Sequence, residues 1–143
     1  MDVEELLYEV DRTAWEDIDG PEWYRPTEVP TAFRQVISVT DESSLWDAYN
    51  AMLFAVGNNH CGTYYPAVLF ALPFIVELAS DPPRPIVQEC CLEIIIDLAS
   101  FEPDTENPDF KQRMDLAVKQ GLGRITPLTD RSAHLIAETY DDL

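Results

Sequence analysis

Two long apolar runs, TYYPAVLFALPFIVELAS at residues 63–80 and RPIVQECCLEIIIDLASF at residues 84–101, decide the fold of this chain. Both runs are longer than an ordinary strand, so they are predicted to be helices. A helix that is apolar on nearly every side must be buried by other elements. Asp81, Pro82 and Pro83 lie between the runs and break the chain there. The pattern therefore predicts a buried pair of helices.

The ends of the first run contain helix signals of their own. Thr63 is expected to be the N-cap, and Pro66 is tolerated in the first turn, where its missing N–H costs little. Pro73 lies mid-run, where a proline removes a backbone donor and clashes with the preceding turn. The sequence therefore predicts a helix over residues 63–80 that is kinked at Pro73.

Shorter amphipathic segments on both sides predict the remaining helices. Apolar residues recur every three or four positions within residues 3–15, 31–39, 41–56, 109–121 and 127–140. Asp41 or Ser43 is expected to cap the helix over residues 41–56, and Gly57 to end it. Residues 16–30 and 102–108 are acidic, contain prolines and are predicted to be loops.

These segments predict a single all-α domain over residues 1–143, with six to seven helices joined by short turns. Residues 1–40 form its acidic N-terminal helix and loop, residues 41–101 its core, and residues 102–143 its C-terminal helices. The two buried helices span roughly 40 residues, which is the period of a HEAT-type unit.

A resemblance agrees with that period. The stretch NHCGTYYPAV at residues 59–68, followed by LPFIVEL at residues 72–78, resembles a segment common in bacterial HEAT-like repeat proteins. In those proteins a short His-x-Gly turn leads into a Tyr-Pro-Ala helix that ends in Leu-Pro-Phe-Leu-x-Glu-Leu, and a second helix closes the repeat. The resemblance implies that residues 41–101 are the HEAT-like core of a short stack of antiparallel helix pairs, an α-solenoid.

The charge of the chain is strongly negative. Its 27 acidic and nine basic residues give a formal net charge of −18 at pH 7. Residues 1–109 contain 22 of the acids and four of the bases, whereas residues 110–143 are neutral. Such a chain should repel nucleic acid and anionic membranes and attract basic proteins. The alternative is that the acidity only supports solubility, as in halophile proteins.

The sequence lacks the patterns that are typical of secretion, of membrane insertion and of common catalytic or metal sites. The first residues, MDVEE, are acidic where a secretory signal is basic, and no apolar run is long enough for a transmembrane helix. We therefore expect a cytoplasmic location with free thiols. Cys61, Cys90, Cys91 and His134 lack the spacing of zinc ligands. The neighbours His60 and Cys61 are poorly oriented for nucleophilic catalysis. Neither an enzyme nor a metal or other cofactor is expected.

An acidic stripe is the first candidate for a partner-binding surface. Glu89, Glu93 and Asp97 follow one another at intervals of four residues and should share one face of the second buried helix. The loop after that helix adds three more carboxylates, Glu102, Asp104 and Glu106. In HEAT-type stacks the second helix of each pair lines the concave binding side. The alternative is that the stripe is simply a solvated helix face.

The acidic N-terminal segment is the second candidate. Residues 2–22 contain nine acids and one base, Arg12. Trp15, Trp23 and Tyr24 lie in or next to it and could be aromatic anchors for a partner. The alternative is that these aromatic residues fasten the loop to the core.

Many small acidic proteins of this kind are similar to immunity proteins, which are encoded beside secreted bacterial toxins. That resemblance implies binding of a cognate protein toxin, a basic enzyme domain such as a nuclease, whose activity is blocked by occlusion with an acidic face. The alternative is a HEAT-like protein–protein adaptor in a cytoplasmic assembly. An enzyme that uses acidic residues is a third class.

Overall fold

The computed structural model describes all of residues 1–143. The chain forms seven α-helices and three two-residue strands, so the predicted all-α class is confirmed. The helices are α1 (Val3–Arg12), α2 (Glu28–Ile37), α3 (Glu42–Ala55), α4 (Val68–Ser80), α5 (Pro85–Ser100), α6 (Asp109–Leu122) and α7 (Asp130–Asp142). The strands are β1 (Gly57–Asn58), β2 (Thr63–Tyr64) and β3 (Glu102–Pro103). None of the seven helices combines the length and the apolar character that a membrane span requires.

Helix α5 is at the centre of the packing. It contacts α3 and α7 most extensively and also packs against α2, α4 and α6. The consecutive helices α2 and α3 form a second close pair, and α1 packs against α2 and α4. One core of 36 buried hydrophobic residues includes side chains from all seven helices. The order of these helices as a HEAT-like stack stays a prediction.

Capping side chains mark the starts of several helices. The Asp41 carboxylate accepts a hydrogen bond from the Ser44 N–H at 2.8 Å, and Ser44 Oγ accepts one from the Asp41 N–H at 3.1 Å. This reciprocal pair satisfies two backbone donors at the start of α3 and confirms Asp41, rather than Ser43, as the N-cap. Asp2 and Thr129 cap α1 and α7, where the side-chain oxygen of each accepts a hydrogen bond from a backbone N–H of the first turn.

The predicted start of the first buried helix at Thr63 is wrong. Thr63 and Tyr64 form β2, which pairs antiparallel with β1 and parallel with β3, and α4 begins only at Val68. Tyr65 precedes Pro66, and a residue before proline is disfavoured in the helical region. The Tyr65 N–H instead donates to the Val56 carbonyl at 2.8 Å. The residues therefore stay extended up to the proline, which lies before α4, and α4 runs on through Pro73.

The turn between β1 and β2 contains His60, Cys61 and Gly62. Gly62 has φ +67°, a conformation that glycine adopts without the strain that a Cβ introduces. At Gly57 a Cβ would lie 2.3 Å from the Thr63 carbonyl oxygen, so only glycine lets the two strands approach this closely. The sequence predicts that Gly57 ends α3, whereas in the structure it also begins a strand.

Other boundaries move by a few residues. Helix α1 ends at Arg12, and Trp15 lies in a short 3-10 turn, Trp15–Asp17, rather than in the helix. Helix α2 begins at Glu28 instead of Thr31, with Pro30 in its first turn, where the missing donor is tolerated. The loop before α2 is therefore shorter than predicted.

Three long polar side chains connect the helices through backbone carbonyls. The Arg84 guanidinium donates to the carbonyls of Ile37, the last residue of α2, and Val39, just after it. The Lys111 ammonium donates to those of Ala99 and Phe101 at the end of α5, at 2.8 and 3.1 Å. Cations at such positions satisfy carbonyls that have no helical partner and interact favourably with the helix dipole.

Gln88, in the middle of the core, is the third of these side chains. It is fully buried and makes three hydrogen bonds. Its Nε2 donates to the carbonyls of Ala79 at 3.0 Å and Thr126 at 2.9 Å, and its Oε1 accepts from the Leu128 N–H at 2.9 Å. Gln88 therefore joins α5 to the end of α4 and to the segment that leads into α7.

Candidate acidic and aromatic interaction surfaces

Glu89, Glu93 and Asp97 do lie on one face of α5, between α3 and α7, and all three are partly buried. The Glu93 carboxylate, whose side chain is 12% exposed, accepts hydrogen bonds from Arg131 on α7, the shorter at 2.5 Å. This interaction raises the pKa of Arg131. A second pair on α7, His134 with Glu138 at 2.8 Å, lies one turn further along.

Asp97 interacts with a residue of α3, on the opposite side from α7. The Tyr49 hydroxyl on α3 donates a hydrogen bond to Oδ2 of Asp97, and burial raises the pKa of this carboxyl above its ordinary value. The Tyr49 ring packs edge-on against Trp46, with ring centroids 5.1 Å apart. Only Glu89 of the three has neither a hydrogen bond nor a salt bridge to another side chain. Of the three carboxylates on this face, Glu93 is therefore neutralised by a cation within the fold, and Asp97 is engaged by a neutral hydroxyl.

The three carboxylates after α5 lie elsewhere. Glu102, Asp104 and Glu106 are exposed, and none forms a salt bridge. The backbone of this segment joins the small sheet, since the Glu102 N–H donates to the Gly62 carbonyl at 3.0 Å and the Asp104 N–H to that of Tyr64 at 2.8 Å. The six predicted residues therefore belong to two surfaces rather than to one.

The sequence offers two roles for the N-terminal aromatic residues, which are fastening the loop to the core and anchoring a partner, and the structure divides the residues between them. The Trp15 ring is buried, and its Nε1 donates to the Val10 carbonyl at 2.8 Å. The Tyr24 hydroxyl donates to the Trp15 carbonyl at 2.8 Å. These two side chains fasten the loop to the core. Trp23 differs, because it is 58% exposed.

Trp23 lies where the two acidic loops meet. One open depression is lined by both, namely by Asp19, Gly20, Pro21, Trp23, Pro66, Asp104 and Thr105. Asp19 comes from the N-terminal loop and Asp104 from the segment after β3, and the two are distant in sequence. The sequence alone suggests two separate acidic clusters, whereas the fold brings them to the same surface beside an exposed indole.

Two further depressions continue from Trp23 along the surface. The first is lined by Trp23, Arg25, Glu28, Phe54, Gly57, Asn58, His60 and Tyr65. The second, between α2 and α3, is lined by Glu28, Thr31, Ala32, Gln35, Asp47, Asn50, Ala51 and Phe54. Because each depression shares lining residues with the next, we call the three together the Trp23 groove. The exposed Phe54 ring packs against His60 within it, with centroids 5.1 Å apart.

Few basic side chains remain free to neutralise the acidic surface of the chain. Six of the nine are already bonded within the chain to carboxylates or backbone carbonyls. Salt bridges in turn engage only six of the 27 carboxylates. Apart from Asp97, which accepts a hydrogen bond from Tyr49, and the N-caps Asp2 and Asp41, the remaining acids are available to interact with a partner or with solvent cations.

The thiols and histidines do not form a common site. Cys61 is exposed in the turn after β1, whereas Cys90 and Cys91 are buried in α5, where burial raises the pKa of Cys90 to about 12. His134 is paired with Glu138 on α7. Nowhere do three His, Cys, Asp or Glu side chains converge as metal ligands would. The structure therefore does not assemble the four residues considered as zinc ligands.

Comparison with known proteins gives no match: no family model, no curated protein and no solved structure is significantly similar to this chain.

Proposed function

We propose that this protein is an immunity-type inhibitor that binds a basic protein, the cognate toxin, and blocks it by occlusion. The observation that carries the proposal is the combination of uncompensated negative charge with exposed aromatic side chains on one side of the fold. Trp23 and Phe54 are 58% and 39% exposed. Asp19, Glu28 and Asp104 surround them without salt bridges.

Each part of this surface has a distinct physical role in binding. Unpaired carboxylates create a negative potential that accelerates the encounter with a basic partner, and salt weakens that effect. Exposed tryptophan and phenylalanine side chains supply apolar area, and aromatic residues dominate the energy of many interfaces. A partner with a basic surface, such as an enzyme that acts on an anionic substrate, fits both features.

Neutralisation in this proposal requires no chemistry by the inhibitor itself. The helical scaffold holds the surface in place through the core around α5. When the inhibitor is bound, it covers the region through which the partner would admit its anionic substrate. The assignment to the immunity class is supported by the resemblance of residues 59–78 to bacterial HEAT-like proteins, and it implies a cytoplasmic location and no cofactor.

Co-expression tests the proposal directly. The gene next to the one for this chain is expressed in a bacterial host, alone and with the chain, and growth is followed. We expect the neighbouring product to contain a basic domain that arrests growth, and the chain to restore growth and to co-purify with that domain. If the domain arrests growth equally with and without the chain, the immunity proposal is wrong. A partner that is bound but unaffected in its activity would instead favour an adaptor.

A further inference from the structure

We infer that the Trp23 groove binds an extended, basic segment of the partner, with one bulky apolar side chain of that segment held between Trp23 and Phe54. This inference rests on the proposed function, because it assumes a basic partner. It differs from the sequence prediction in placing the contact on the N-terminal loop, α2 and α3 instead of on the acidic face of α5.

The shape of the groove favours an extended segment. Its three depressions, of about 370, 270 and 400 Å3, are joined end to end rather than merged into one cavity. Glu28 and Phe54 line both the first and the second, and Trp23 lines both the second and the third. A row of shallow depressions accepts successive side chains of an extended chain, as in many peptide-binding grooves.

The aromatic side chains define the middle of the groove. Trp23 and Phe54 both contribute to the central depression, beside the largely buried Tyr65. An exposed indole and an exposed phenyl ring bury a large apolar area when a bulky side chain packs between them. The central position is therefore the apolar anchor, and the two outer depressions accept its flanking residues.

The charges of the groove determine the sign of those flanking residues. Asp47 and Glu28 lie along the part between α2 and α3, and Asp19 and Asp104 line the opposite end. All four side chains are exposed and lack a salt bridge within the chain. Arg25 is the one lysine or arginine of the lining. Lysine or arginine on both sides of the apolar anchor gives the complementary pattern.

The acidic face of α5 is less suited to this role. Arg131 already interacts with Glu93, and the Tyr49 hydroxyl already donates to Asp97. A basic partner would have to displace these contacts before gaining its own, whereas the carboxylates of the Trp23 groove need only exchange water. A basic segment can therefore engage the carboxylates of the groove without breaking a contact within the fold.

A nuclear magnetic resonance titration of the full chain tests the inference. The probe is the heptapeptide Lys-Arg-Lys-Leu-Lys-Arg-Lys, and the control peptide replaces its basic residues with glutamine. The three tryptophans give three indole N–H signals, which are assigned through Trp23→Phe and Trp46→Phe. We expect the basic peptide to shift the Trp23 signal and leave unchanged the signal of Trp46, whose ring packs against Tyr49.

Charge variants provide the second measurement. Asp19→Asn with Asp104→Asn should weaken peptide binding by roughly three- to tenfold, since two exposed charge pairs are lost and each contributes only modestly to binding. The matched control, Asp141→Asn with Asp142→Asn, makes the same change in net charge at the end of α7 and should leave the affinity within about twofold. All four positions are exposed, so circular dichroism should show that both variants fold normally.

The outcomes separate the groove from the wider proposal. If the peptide shifts Trp46 instead of Trp23, or if both charge variants weaken binding equally, the groove is not the site, and the wider proposal of a basic partner is left to the co-expression experiment. Binding of the basic peptide no tighter than that of the glutamine peptide would overturn the groove as well. Failure of the proposed function itself would appear separately, as unrelieved growth arrest in the co-expression experiment.

Discussion

Replacing Gln88 with methionine removes the polar connection between α5, α4 and the segment before α7 while keeping a side chain of similar length. The change leaves two carbonyl oxygens, of Ala79 and Thr126, and the Leu128 N–H without their present partners. An orphaned buried polar group costs about 1–3 kcal/mol. The Ala79 contact is buried, whereas those of Thr126 and Leu128 are only partly so and can regain water.

These contributions give an expected loss in the free energy of unfolding of about 3 kcal/mol, after a gain of about 1 kcal/mol for the added apolar surface. That loss is a large part of the stability of an ordinary domain, about 5–15 kcal/mol. For a chain of 143 residues it should lower the Tm by roughly 10 °C.

Urea denaturation followed by circular dichroism at neutral pH measures this loss. Gln112→Met is the matched control, because Gln112 is exposed on α6 and makes no hydrogen bond through its side chain. We expect the control to stay within about 0.5 kcal/mol of the wild-type chain. If Gln88→Met unfolds at the same urea concentration as Gln112→Met, the buried hydrogen bonds of Gln88 do not hold α7 in place and the reasoning fails.

Three further predictions concern charge and capping. Burial raises the pKa of Asp97 in the folded chain, so its contribution to stability is present below its unfolded pKa and lost as the pH rises through the folded value. Asp97→Asn keeps an acceptor for the Tyr49 hydroxyl, and its free energy of unfolding at pH 7 should equal or exceed that of the wild-type chain; a clear decrease in urea denaturation would contradict this. Asp41→Ala removes the N-cap of α3 and should cost about 1 kcal/mol in the same assay, whereas Glu42→Ala should cost less. Raising NaCl from 20 mM to 0.5 M should increase the Tm, since salt screens repulsion among the unpaired carboxylates; a decrease in the calorimetric Tm would refute that explanation.

The helices could be predicted from the sequence because their signals are local. Apolar spacing, the cap at Asp41 and the break at Pro82 and Pro83 are all properties of neighbouring residues. The small sheet could not be predicted in this manner, since β2 is held by Glu102 and Pro103, which are distant along the chain. One local signal was available there: Tyr65 precedes a proline, which disfavours a helix start at Thr63.

The surfaces were predicted less completely than the helices. The spacing of Glu89, Glu93 and Asp97 correctly places them on one face, but a pattern within one helix contains no information about Arg131 or Tyr49 on its neighbours. The exposure of Trp23, compared with the burial of Trp15, also depends on tertiary packing. Composition indicates that the chain is acidic, whereas only the fold determines which carboxylates remain unpaired.

The rate of association with the basic partner, measured by stopped flow over a range of salt concentrations, tests the central claim most directly. The partner is the domain whose toxicity the chain relieves on co-expression. We expect the rate constant for the wild-type chain to fall at least tenfold between 20 and 300 mM NaCl, as for electrostatically steered complexes. Reversing Asp19, Glu28 and Asp104 to lysine should slow association much more than reversing Asp130, Asp141 and Asp142 on α7. A rate that is independent of salt and equal for the two variants would contradict recognition through an acidic surface.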